Sequence, residues 1–492
     1  MKDYIRTKVL ITAVDLKEKL TRRTILMEVI LPMVLLLMSL YLLSVIMGVS
    51  RDYEMLFAGQ CLVSVLMLLS CRKIKASYTI TVSVIALLSI GLFIQCLLAH
   101  ENTGYPESAT TFFSHILCGT VMYIFLIWLF SRERKITFFF FTNKGCLLLS
   151  MVSFLCYTAC LISGRIHNAA NWIVVGNFSI QGTEICKLLY LWILAVLSER
   201  MNFEKYGKKI MLLYMLNAVF LLAASELGYL IVITIVTVVI IVIRTEDLKE
   251  LLNTIKRPVF VILIALAVGS LMAVAIYFLD GNGFVIDILE KVKGRVLGFL
   301  FPEQYPDTYG YQNKKLNMAI FSGGLFGNNK EVLLPVAQSD LVFGVIIAKL
   351  GLFFALAVMT LYTLFIFIGS KAAANKNSCF GMTFVVGIFI QTFYNLASVI
   401  GCVPIAGVPV YFISAGGTAM VCGMAIAAII VSTTGGNFQY KKGARNEEKN
   451  DVCNSMYARP DGILSSNSNR EERGHFRALF RSRFPESNSR RC

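Results

Sequence analysis

Charge is scarce in this 492-residue chain: Asp, Glu, Lys and Arg make up 15% of it, where a soluble globular chain carries about 25%. That shortage excludes a water-soluble enzyme. The hydrophobic residues, 57% of the chain with 35 Phe and 20 Tyr among them, leave more apolar surface than a fold facing water can cover, so lipid must be part of its solvent. The 13 cysteines form no C-x-x-C pair and no Cys/His spacing suited to a metal, which excludes a redox motif, a metal module and a disulfide scaffold. No internal repeat supports a transporter built from inverted halves. Acidic residues are outnumbered, 30 to 46, for a net charge of +16. In a membrane chain basic residues report topology first, so the excess does not point to nucleic acid.

Apolar runs are abundant. Windows of 13–28 residues, matched to a ~30 Å hydrocarbon core with tilt for the long ones or some re-entrance for the short ones, fall at 24–46, 55–71, 80–99, 112–130, 146–163, 185–197, 210–224, 227–243, 259–279, 341–368, 380–400 and 412–431. The predicted fold is all-α, a polytopic transmembrane helical bundle of about 12 spans. Lysine and arginine then sort by loop. Seven precede the first span, alternate loops at 72–75, 132–144, 200–209, 244–257 and 371–376 carry seventeen and the tail after 432 twelve, while the intervening short loops hold only Arg51 and Arg165. By the positive-inside rule both termini are expected in the cytoplasm, with 164–183, 280–340 and 401–411 on the outer face. The first span follows 23 polar, basic residues and is expected to remain as a signal anchor. Residues 1–23 read as a cytoplasmic segment, 24–163 as N-terminal helices, 164–432 as the core, and 433–492 as a basic, disordered cytoplasmic tail.

An ionisable side chain inside a span costs about 2.5–3.5 kcal/mol on insertion scales, so each one asks for a partner or a function. Glu184 and Lys187 stand at i, i+3 on one helix face and predict a buried ion pair at the outer mouth of the bundle. Glu226 sits in the corner between two spans, where a helix N-terminus favours a carboxylate. Lys349 follows Asp340 by nine residues, roughly 13 Å deeper, and is expected to face an aqueous or anionic cavity. Glu28, near a span end, snorkels.

The outer segment 280–340 is the longest connection, and connections of that length are usually functional. It carries Lys291, Lys293 and Arg295, then Pro302-Glu303-Gln304-Tyr305-Pro306-Asp307, Gly310-Tyr311-Gln312 and Ser322-Gly323-Gly324-Leu325-Phe326-Gly327. Cations beside carboxylates at an outer membrane surface suit an anionic lipid headgroup handled by acid/base chemistry.

Taken in order, these segments resemble the SEDS family of bacterial cell-wall proteins, the FtsW, RodA and SpoVE group named for shape, elongation, division and sporulation. Trp172, Gly176, Phe178 and Gln181-Gly182-Thr183-Glu184 with Lys187-Leu188 resemble its R-W…G-x-F…Q-P-S-E-x-x-K-L segment. Ser225-Glu226-Leu227-Gly228 resembles P-D-L-G, and Lys293, Arg295 and Phe299 to Glu303 resemble R-x-R…F-L-x-P. Gly310-Tyr311-Gln312…Ala319…Ser322 to Gly327 resembles G-Y-Q…A…S-G-G-L-x-G, and Asp340-Leu341-Val342-Phe343 resembles D-F-I-F. Asn395, Gly401, Pro404, Gly407-Val408-Pro409 and Phe412 to Gly417 resemble the closing N…G…P-x-x-G-I-P-L-P-F-x-S-Y-G-G signature. The family usually has ten spans, so residues before about 80 read as an added helix pair.

The resemblance implies a processive glycosyltransferase that polymerises lipid II into peptidoglycan in the bacterial cytoplasmic membrane, releasing undecaprenyl diphosphate. It also implies a class B penicillin-binding protein as partner, and a place in division, elongation or sporulation. No tightly bound cofactor is implied; a divalent cation accompanying the diphosphate is left open. Lys293, Arg295, Lys187 and Lys349 are the candidate cations, and Gln312, Glu184 and Asp340 complete the substrate-binding set. The family's D-P-L-G-x-G-Y-Q aspartate falls at Tyr305 in ungapped register, so Asp307 is taken as a shifted base with Glu303 as second choice. Asn171 for arginine, Ala348-Lys349 for a usually acidic pair, Tyr411 for proline and Ala415 for tyrosine are further departures. A lipid-linked precursor flippase and a non-catalytic scaffold stay open as alternatives. An O-antigen polymerase or ligase would share the many spans but not these motifs.

Overall fold

The computed structural model describes residues 31–46, 53–74, 78–100, 108–131, 139–163, 170–176, 178–199, 203–244, 284–328, 334–375 and 378–434. The predicted span 259–279, residues 1–23 and the tail from 435 onward lie outside the described residues. Every other predicted span falls on a helix: α1 (Leu31–Ile46), α2 (Glu54–Ile74), α3 (Tyr78–His100), α4 (Ser108–Ser131), α5 (Asn143–Ile162), α6 (Gly182–Ser198), α7 (Phe203–Ala223), α8 (Leu227–Arg244), α11 (Val342–Asn375), α12 (Cys379–Val399) and α13 (Gly417–Thr434). Eight of the helices are both long and apolar enough to cross a membrane, so the chain is a multi-pass membrane protein. These runs are helical because lipid offers no partner for backbone N–H and C=O, and the helix satisfies both internally.

α3 forms the centre. From Ile80 to Leu98 nearly every residue is buried, as expected of a helix apolar all round and enclosed by others. α4, α11 and α2 pack on it, and α13 lies along α4. At one end Gln95 of α3 reaches out of this apolar column. Its Nε2 donates to the carbonyls of Gln338 (3.0 Å) and Ile413 (3.3 Å), pinning two irregular segments, 334–341 and 410–416, over the bundle.

Three sequence expectations change. Segment 280–340 is not one loop: it holds α9 (Phe284–Leu300) and α10 (Tyr311–Gly323), joined by a turn over 301–310. Apolar residues four apart, Val292, Val296 and Leu300, support α9, and Gly324 at φ 57 ends α10 in the left-handed region. The last span begins at Gly417 rather than 412, because 410–416 is spent on polar contacts such as Ala415 N to Gln338 O, 2.8 Å. The span from 341 is broken, with Gly351 at φ 83, ψ 171 inside α11.

That break lies about 14 Å along the helix from Val342, and the freed backbone groups cannot be left to lipid. The Gly-Gly-Leu-Phe-Gly turn after α10 supplies the partners: Leu352 N donates to Gly324 O (3.0 Å), Phe353 N to Leu325 O (3.2 Å) and Asn328 N to Ala348 O (2.9 Å). Glycine is required by the closeness of the chains. A Cβ at Gly351 would lie 2.3 Å from Leu325 O, and one at Gly327 would lie 2.1 Å from Lys349 O.

Candidate functional site

The site forms at the end of the bundle that the charge count places outward. The hairpin β1 (Trp172–Val175) and β2 (Phe178–Gln181) pairs Trp172 with Gln181 and Val175 with Phe178, turning at Gly176 with φ 61. It feeds directly into α6, and Gln181 N donates to Thr418 Oγ1 (3.1 Å), fixing the start of α6 against α13.

Glu184 and Lys187, one turn apart at the head of α6, make the predicted ion pair at 2.7 Å, with side chains 0% and 3% exposed. Lys187 Nζ also donates to Gln391 Oε1 (2.7 Å) and sits over the rings of Tyr229 (4.1 Å) and Tyr411 (5.1 Å). The Tyr229 hydroxyl donates to Glu184 Oε1 and that of Tyr411 to Glu184 Oε2 (3.4 Å). Gln391 is held in turn by its donation to Pro409 O (2.9 Å). A buried pair is tolerated only when its remaining donors and acceptors are met, and here helices α6, α8 and α12 and segment 401–416 all contribute.

A second polar group interacts electrostatically with this pair. Glu226 immediately precedes α8 and follows Ser225, whose φ is 59, and its Oε1 accepts from Asn171 Nδ2, so the corner carboxylate ties the start of the hairpin to α8. Asp340 is half-buried ahead of α11, beside Gly407, where a Cβ would lie 3.4 Å from its Oδ2. Asn395 of α12 donates to Asp340 O (2.8 Å) and Val408 O (2.6 Å). Arg295 of α9 faces the same mouth, and its guanidinium interacts electrostatically with Glu226, Tyr394 and Asp340. Burial, and then the nearby Glu184, push the Asp340 carboxyl up to about 6 against the opposing pull of Arg295. Burial also pulls the Arg295 guanidinium below its ordinary value.

Of the residues singled out from sequence, Glu184, Lys187, Arg295 and Asp340 come together. Asp307 and Glu303 are exposed on the 301–310 turn, which is closed by Gly310 N to Tyr305 O (2.8 Å), and Lys293 and Gln312 are exposed on α9 and α10. Tyr305 packs its ring on Tyr309 at 5.9 Å. Lys349, expected to face a cavity, is enclosed by protein at 3% exposure, because the turn after α10 packs against α11 there. Sequence reasoning passed over Gln391 and Tyr229, whose signal was a polar group inside an apolar helix, and treated Asn171 and Tyr411 only as departures. Among the described residues no group of three or more His, Cys, Asp or Glu could hold a metal.

The chain matches the FtsW/RodA/SpoVE family, described as cell cycle proteins, over residues 70–436. It is 27% identical over 357 residues to the probable peptidoglycan glycosyltransferase FtsW of Buchnera aphidicola, covering 68% of this chain and 84% of that one. To the protein of the same name from Aliivibrio salmonicida it is 30% identical over 294 residues, 56% and 68% of the two chains. A solved chain from work on the structural coordination of polymerization and crosslinking by a peptidoglycan synthase complex shares the fold, with TM-score 0.56 and 21% identity over 74% of this chain and 99% of that one.

Proposed function

This chain belongs to the FtsW/RodA/SpoVE family of cell cycle proteins, and we propose that it is a peptidoglycan glycosyltransferase that polymerises lipid II at the outer face of the bacterial cytoplasmic membrane, with both termini in the cytoplasm. The observation that carries this reading is Arg295 held at the mouth of the bundle among Glu226, Asp340 and Tyr394, with Asp340 in turn in the field of the buried Glu184. Glycosyl transfer needs a base for the acceptor hydroxyl and positive charge for the departing diphosphate. Asp307, with Glu303 beside it, is the assigned base, on a turn that the acceptor can reach from water. Arg295 and the exposed Lys293 supply charge to undecaprenyl diphosphate, with Gln312 on the same surface. A class B penicillin-binding protein is the proposed partner, in keeping with the solved chain of this fold, which comes from a peptidoglycan synthase complex that coordinates polymerization and crosslinking.

The test is polymerisation of lipid II by the purified protein, alone and with the partner, for wild type, Asp307→Ala and Glu303→Ala. Strands from wild type, lost in Asp307→Ala, support the assignment. Strands undiminished in both variants overturn the base. One observation favours a scaffold instead: Tyr305 stands where the family motif carries its aspartate. Binding of the partner without strand formation by either preparation would establish that reading.

A further inference from the structure

The packing of α5 against α6 gathers thiols that the sequence keeps apart. Cys156 and Cys160 stand one turn apart on α5, and Cys186 lies in the second turn of α6. Cys186 Sγ donates to Ser153 O at 3.5 Å, which sets it against the stretch of α5 that carries Cys156. The Cys156 and Cys186 thiols are hydrogen-bonded to each other. Cys160 instead meets the start of α6, where a Cβ on Gly182 would lie 2.4 Å from its sulfur. No C-x-x-C spacing announces the pair, because its members come from different spans.

The three thiols differ in access. Cys160 and Cys186 are buried, whereas Cys156 is half-buried beside Phe154 and Leu155, which are 52% and 64% exposed on the apolar flank of the bundle. A reagent reaches Cys156 through lipid, so it must be small and uncharged. Ser153, three residues before Cys156 and on the same helix face, is buried, and its hydroxyl has no partner among the described residues. An oxygen added to the Cys156 sulfur would supply the acceptor that hydroxyl lacks. Among the described residues no group of three His, Cys, Asp or Glu could hold a metal, so Cys160 does not complete a metal site with the pair.

We propose that Cys156 and Cys186 form a peroxide-reactive dithiol that closes to a disulfide between α5 and α6. The Cys156 sulfur attacks one oxygen of hydrogen peroxide, the O–O bond breaks, and the thiol proton leaves with the other oxygen as water, giving a sulfenic acid. The Cys186 sulfur then attacks the Cys156 sulfur, the S–O bond breaks, and the hydroxyl leaves with the Cys186 proton as a second water. The dithiol is oxidised by two electrons and the peroxide is reduced to two waters. Cys186 stands between Glu184 and Lys187 in the chain, so the bridge fastens to α5 the part of α6 that carries the buried ion pair. None of this depends on the glycosyltransferase reading.

The test is mass spectrometry of the purified full-length protein, reduced with dithiothreitol, freed of it, exposed to hydrogen peroxide and digested without reduction. Wild type should yield the Cys156 peptide joined to the Cys186 peptide, two hydrogens lighter than their sum, and the joined species should vanish when dithiothreitol is returned. Cys160→Ser should keep the bridge. Cys186→Ser should stop at the first step and leave a Cys156 sulfenic acid that dimedone captures. Absence of the Cys156–Cys186 species from peroxide-treated wild type overturns the proposal, and that outcome needs no variant. So does a bridge from Cys186 to Cys160 in its place. A dimedone adduct on Cys186 in Cys156→Ser, with none on Cys156 in Cys186→Ser, overturns the assigned order of attack.

Discussion

At the residue scale, the account turns on a few charges that an apolar chain keeps at a cost. Lys187 and Glu184 are enclosed together with Tyr229, Tyr411 and Gln391. Removing one partner strands a buried charge, a loss of about 3–5 kcal/mol. Lys187→Met should therefore lower the thermal unfolding midpoint sharply, and the double variant Lys187→Met, Glu184→Gln should recover much of the loss. Equal destabilisation in single and double variants would show that the pair is not coupled. Asp340 gives a pH prediction. Its carboxyl is pushed up to about 6, so the folded state holds a proton that the unfolded chain has already lost. Stability should fall as pH rises from about 4 to about 6 and then level off. Ionised Asp340 sets the field at Arg295, so the KM for lipid II should shift with a midpoint near pH 6. Asp340→Asn should abolish both the slope and the shift. The pair on α6 was legible in the sequence because i, i+3 spacing is local. The contact from Asn171 to Glu226 was not, because it joins residues 55 apart and depends on where the hairpin lands.

At the element scale, the broken α11 and the turn after α10 act as one unit. The turn from Gly323 to Gly327 supplies the hydrogen bonds that the break at Gly351 releases, which explains why a glycine-rich run stands there. Gly351→Ala and Gly327→Ala would each put a Cβ into backbone at 2.3 Å and 2.1 Å, at positive φ. Both should cost several kcal/mol or abolish folded protein on fluorescence-detected size exclusion. Gly401→Ala, at φ 74 with nothing within 4 Å of the added Cβ, should cost only about 1 kcal/mol. Similar losses at all three would mean the close approach is not real. The break was hidden from hydropathy because apolar residues run on through Gly351 without a change of character. α9 and α10 were hidden because a long connection between spans was taken to be irregular.

At the scale of the whole molecule, the bundle supplies a largely apolar interior around α3 and gathers its buried ion pair and the charges around it at one end. Spans and expected orientation were legible because lipid imposes length and charge asymmetry on a sequence. The site was legible only through the family resemblance and the i, i+3 pair, because its members come from the hairpin, α6, α8, α9, α12 and two irregular segments. The FtsW/RodA/SpoVE match begins at residue 70, so α1 and most of α2 precede it. The proposed orientation predicts that a cysteine introduced into the 301–310 turn is labelled by an impermeant maleimide in intact cells, while one introduced after residue 440 is labelled only after permeabilisation.

The central claim is that the mouth around Arg295 polymerises lipid II, and the most direct measurement is strand formation by purified protein with its penicillin-binding partner, for wild type and Arg295→Ala. The account predicts glycan strands from wild type and a rate lowered about 100-fold or more in Arg295→Ala, with the variant still folded and still bound to the partner. Strand formation at the wild-type rate by Arg295→Ala, or none from wild type with or without its partner, would contradict it.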